Sequence, residues 1–130
     1  MKRLSALLLA MLSVSAAGAQ PPAPQPAAPL REIPEAFRGG WDESEQGCEG
    51  FEPRFSITAT ALWNFEVKFV VREVRVVSPA EIEVVTEHED HDGNRTGEEG
   101  TWRFRLVDGG RAIAGSGVDF RRCARPVSRD

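Results

Sequence analysis

Residues 81–107, EIEVVTEHEDHDGNRTGEEGTWRFRLV, begin and end with runs in which side-chain character changes at every step. In the first run Ile82, Val84, Thr86 and His88 share one parity, and Glu81, Glu83, Val85 and Glu87 the other. In the last run Trp102, Phe104 and Leu106 alternate with Arg103 and Arg105. A period of two is that of a strand with one buried face. Between the runs, residues 88–100 place both histidines of the chain among carboxylates and glycines, the composition of a hydrated connection. The stretch therefore predicts an antiparallel hairpin with a long loop. Its outer faces agree, because Glu83 and Glu87 on one strand can lie beside Arg103 and Arg105 on the other. Exposed pairs of this kind contribute roughly 0.2–1 kcal/mol each, so they speak for register more than for stability.

The same period extends outward. From Ala61, the residues Trp63, Phe65, Val67, Phe69 and Val71 fall on one parity and Asn64, Glu66, Lys68 and Arg72 on the other, which predicts one long strand. The phase slips at Arg72-Glu73, where a bulge is expected, and Ser78-Pro79 ends the run. Downstream, Asp108-Gly109-Gly110-Arg111 and Gly115-Ser116-Gly117 read as tight turns around Ala112–Ala114, before a closing strand from Val118 to Cys123. Upstream, Phe55–Ile57 is a short strand, and Ile33–Phe37 reads as a single helical turn with a proline near its start. The fold class is all-β, a small antiparallel barrel or sandwich of about six to eight short strands. Trp41, Trp63, Trp102, Phe104 and Phe120 are the expected core residues.

The first 19 residues have the parts of a secretory signal: Lys2 and Arg3, an apolar run from Leu4 to Val14, and the small residues Ala17-Gly18-Ala19. That run falls short of the roughly 20 residues a membrane-spanning helix needs, so cleavage is expected and a membrane span is not. Residues 20–33, opening with QPPAPQPAA, read as a flexible proline- and alanine-rich tether, and residues 34–130 as a single β domain. An exported chain of this kind is expected in the periplasm or the medium. A domain of about 97 residues buries a modest share of its surface and gains from a crosslink. Cys48 and Cys123, the two cysteines, lie near its ends and are expected to form one disulfide. Loss of Lys2 and Arg3 leaves 14 basic against 20 acidic residues, a formal charge of −6, which argues against nucleic acid as a partner.

IPEAFRGGW at residues 33–41, then Cys48, SIT at 56–58, a glycine- and glutamate-rich segment before Thr101-Trp102, and a last strand ending Arg122-Cys123 together resemble small exported proteins of alphaproteobacteria. More distantly, Gly39-Gly40-Trp41 after a helical turn resembles the GxW of lipocalins. That resemblance implies a tryptophan, here Trp41, plugging the closed end of a barrel, with an arginine of the last strand, Arg121 or Arg122, packed across it. The domain is shorter than a typical lipocalin, which implies an interior with little room for ligand.

Catalytic patterns are sparse. GxSxG and phosphate-cradling loops are missing from the sequence, and its glutamates alternate outward on strands. The metal candidates are His88, Asp90, His91 and Asp92. An EF-hand starting at Asp90 fails, because Arg95 occupies its glycine position and Thr101 its final carboxylate position. On a continuing strand His88 and His91 would point to opposite faces. The expectation is an exported, monomeric, non-catalytic binding or inhibitor-like module without a cofactor, its partner another envelope protein or a small ligand. The alternatives are a structural or stress-related protein of the periplasm without a discrete ligand, or a weak metal binder using residues 88–92.

Overall fold

The computed structural model describes residues 21–24, 26–50, 53–115 and 118–124. The signal-sequence expectation and Ser116-Gly117 of the second predicted turn lie outside them. Eight strands form one closed antiparallel barrel, each bonded to the next in chain order and the last to the first. They are β1 (Gly39–Asp42), β2 (Phe55–Ile57), β3 (Ala61–Asn64), β4 (Val67–Ser78), β5 (Glu81–Glu89), β6 (Arg95–Val107), β7 (Ala112–Gly115) and β8 (Val118–Arg122). A 3-10 turn, Glu35–Phe37, precedes β1, and a short helix α1, Glu45–Glu49, follows it. No helix among the described residues is long and apolar enough to cross a membrane.

The hairpin of β5 and β6 pairs Ile82 with Phe104 and Val84 with Trp102, and Glu83 faces Arg103. Its connection is shorter than expected. β6 begins at Arg95, so only residues 90–94 turn the corner. The early part of β6 escaped the sequence pattern because residues 95–99 have no apolar inward face and are exposed. The pairing jumps from Glu87↔Glu99 to Glu89↔Arg95, and Gly97 adopts φ 80° in the bulge between them, a conformation suited to glycine. The register of β4 against β5 shifts between Val71 and Glu73, where the phase slip in the sequence lies.

The predicted long strand from Ala61 is two strands. A turn at Phe65-Glu66, with Phe65 at φ 54°, folds β4 back on β3 so that Trp63 pairs with Lys68 and Leu62 with Phe69. Such a two-residue turn swaps parity: odd-numbered Phe69 faces inward, whereas odd-numbered Trp63 faces outward. Trp63 is therefore half-buried outside the core rather than in it, with the Lys68 ammonium 5.5 Å from its ring centroid. The buried interior instead contains Phe37, Trp41, Leu62, Ile82, Val84 and Ile113.

The expected tether is also shorter. Leu30 exchanges backbone hydrogen bonds with Val74 at 2.8 and 2.9 Å, and Ile33, fully buried, donates its N–H to the Ala59 carbonyl. Four-residue β3 covers only Val67–Val70 of twelve-residue β4, and the arriving chain takes up part of the edge left over.

The seam closing the barrel is narrow. β1 and β8 share the pairs Trp41↔Arg122 and Asp42↔Arg121, extended by a 2.8 Å bond from the Cys123 N–H to the Gly40 carbonyl. The Cys48–Cys123 disulfide fastens α1 across this seam. Asp42 shapes the connection, its carboxylate accepting from the Ser44 and Arg54 amides at 3.2 and 2.8 Å. A Cβ on Gly47 would collide with that carboxylate, which requires glycine there.

Candidate functional site at the open end of the barrel

Alternating strand direction sends the connections 65–66 and 90–94, the described residues that leave β1 and enter β2, the end of β7 and the start of β8 to one end of the barrel. The turns at 58–60, 79–80 and 108–111, with the arriving N-terminal segment, gather at the other. That second end is plugged. Trp41 is fully buried and donates its indole N–H to the Phe37 carbonyl at 3.1 Å. The Arg122 guanidinium lies 4.2 Å from the centroid of the Trp41 ring. It donates to the carbonyls of Arg38 at 2.7 Å and Gly110 at 3.0 Å, and also to that of Ala36. Partial desolvation lowers its pKa below the ordinary guanidinium value. Arg121 faces outward, 3.8 Å from Glu45. The two arginines thus separate, and Arg122 is the one stacked on the tryptophan.

Five aromatic rings crowd the opposite end. Phe55 touches Trp102 and Phe104 at 5.6 Å and Phe120 at 6.2 Å, and Phe69 meets Trp102 edge-on at 5.2 Å. Strand parity turns these rings inward, while the short β2, β3, β7 and β8 leave Trp102 and Phe120 only half covered. The Trp102 indole donates to the buried Thr86 hydroxyl at 3.0 Å, which fixes the ring and leaves its apolar face toward the opening. A cleft of about 230 Å³ results, formed by Phe55, Trp102, Phe104, Phe120, Asn64 and Val118, with Glu43 and Arg54 at its rim. Those two make an ion pair at 2.8 Å. Neither Phe55 nor Phe69 stands out as a site residue in the sequence. The only signal for Phe55 was a three-residue alternation.

A second cleft, of about 280 Å³, lies between the β3–β4 turn and the β5–β6 tip. Its walls include Trp63, Lys68, His88, Asp90 and His91, whereas Asp92 is not among them. Both histidines therefore border one cleft, because β5 ends at Glu89 and the chain turns before His91. His88 packs 5.7 Å from the Phe69 ring and lies 3.6 Å from Glu98. The Asp90 carboxylate accepts the amides of Asn94 at 2.8 Å and Asp92 at 3.0 Å. These bonds, that of Asn94 foremost, lower its pKa from the usual 3.8. Asp90 thus serves to fasten the turn. Among the described residues no group of three or more His, Cys, Asp or Glu side chains is placed to hold a metal ion.

Glu87 also differs from expectation. It lies opposite Glu99 rather than beside Arg103 or Arg105, and it is buried. Arg72 at 2.8 Å, Arg95 at 3.3 Å and the Gly97 amide at 3.2 Å surround its carboxylate. The Gly97 bulge brings Arg95 and this amide within reach, which could not be read from parity.

Comparison of the chain with protein-family models, curated proteins and solved structures finds no match. The eight-stranded closed antiparallel barrel is consistent with a calycin or lipocalin type of fold.

Proposed function

We propose that this protein is a non-catalytic binding module of the cell envelope that receives an apolar group in the aromatic cleft at the barrel mouth. The observation that carries the reading is the cleft itself: about 230 Å³, floored by Phe55, Trp102, Phe104 and Phe120. Its size selects the occupant. Pockets for drug-sized ligands run from about 300 to 1,000 Å³, and a cavity of about 150 Å³ accepts benzene. The mouth therefore suits one ring or one branched side chain. That favours a partner inserting a single side chain, as an inhibitor or adaptor interface would use, over a carrier enclosing a whole lipid. The signal-like residues 1–19 and the Cys48–Cys123 disulfide support an exported location.

Titration of the isotopically labelled mature domain with indole tests the reading. The Trp102 indole and the Phe120 amide should shift together and saturate, and a Phe120→Ala variant that remains folded should bind more weakly. Shifts scattered over the surface, without Trp102, would refute it.

A further inference from the structure

Charge is distributed unevenly along the barrel axis. The mouth end carries Glu43, Glu45, Glu66, Asp92 and, early in β6, Glu98, all exposed, together with Asp90. The basic residues near them are already engaged: Arg54 with Glu43, Arg121 with Glu45, Lys68 with Glu89 and Arg95 with Glu87. Glu66 and Asp92 make no ion pair with any described residue. Toward the plugged end the charges are closer to balance, with Arg38, Arg75 and Arg111 paired with Glu32, Glu73 and Asp108. The aromatic cleft thus opens at an end of the barrel where exposed carboxylates outnumber basic residues. Val118, 41 % exposed, borders the aromatic cleft, and Val67, 40 % exposed, borders the cleft at the β5–β6 tip.

Resting on the binding reading above, we infer that the occupant of the mouth is a cationic segment of a protein partner, an apolar side chain flanked by lysine or arginine. The apolar side chain fills the cleft. Its basic neighbours meet the rim carboxylates, which have few local cations to satisfy them. An acidic segment would meet repulsion at the same rim, so the rim selects by charge and the floor by shape. Aromatic faces also attract a guanidinium or ammonium drawn over them, which favours the same class of segment. Attraction among exposed charges is screened over a Debye length of about 8 Å at physiological salt, so the preference should be salt-sensitive.

The test uses the folded mature domain and three fluorescent peptides that differ only in the residues flanking a central leucine: two arginines, two glutamines or two glutamates. At low salt the arginine peptide should bind about three- to tenfold more tightly than the glutamine peptide and the glutamate peptide most weakly, with the differences shrinking toward one at about 0.5 M salt. A Glu66→Gln/Asp92→Asn/Glu98→Gln variant should lose most of the arginine preference while binding the glutamine peptide as before. Equal binding of all three peptides at low salt, with indole still bound, would overturn the charge inference and leave the mouth as a binding site. Absence of binding by every peptide and by indole would overturn both.

Discussion

Removing the covalent link, as Cys48→Ser with Cys123→Ser, probes how the barrel is kept closed. The two cysteines are 75 positions apart, and the chain-entropy relation for a loop of that size gives about 4 kcal/mol at 25 °C. A domain of this size is expected to have a total stability of roughly 5–15 kcal/mol, so the loss is a large fraction of it. The measurement is urea unfolding followed by tryptophan fluorescence. For a slope of about 1–2 kcal/mol per molar, the midpoint should fall by roughly 2–4 M. The mechanism can be tested by position as well as by amount. If the bond acts by restricting the unfolded chain, amides far from it, such as Val84 in β5 and Phe104 in β6, should lose the same free energy as the seam. Their exchange should then quicken by about a thousandfold. A loss below about 1 kcal/mol, or faster exchange confined to α1, β1 and β8, would refute this reasoning and make the disulfide a local clip.

The plug at the closed end predicts that Arg122→Ala costs about 2 kcal/mol, and that Arg122→Lys recovers less than half, since a lysine cannot serve three carbonyls and the Trp41 face together; thermal or urea unfolding of both variants checks this. Thr86→Val removes the acceptor of the Trp102 indole and should cost about 1–3 kcal/mol, with Trp102 fluorescence changed and Trp41 contacts intact. The bonds to Asp90 stabilise its ionised form, so its support of the tip is complete above the ordinary value of 3.8 and is lost as pH falls through the lower folded value. An NMR titration of the Asn94 amide should show its midpoint below 3.8; a midpoint at or above that value would contradict the geometry.

The sequence revealed most where one strand face is apolar and the other charged. Ile82, Val84, Trp102 and Phe104 identify their partners because the period of two persists through both strands, and the slip at Arg72-Glu73 marks the bulge. It revealed less where a turn itself changes parity. Phe65-Glu66 has no glycine, asparagine or proline, so nothing local announces the reversal, and a period of two carried through it puts Trp63 on the wrong face. The helix α1 has five residues and depends on Asp42, Ser44 and the disulfide, contacts set by tertiary structure. Closure of β8 on β1 rests on two residue pairs, too few for a sequence period. The mouth was hidden for a related reason: Phe55, Phe69, Trp102 and Phe120 come from β2, β4, β6 and β8, and only the closed topology brings them together.

The arriving N-terminal segment, fastened by Leu30 and Ile33, joins the barrel at the end plugged by Trp41. Coupling the protein to a solid support through residues 21–24 would therefore hold every molecule by its plugged end and leave the aromatic cleft at the free end. A reporter fused there would cast no shadow over the cleft. The polarity of the fold supplies a display geometry that random attachment through surface amines would scramble.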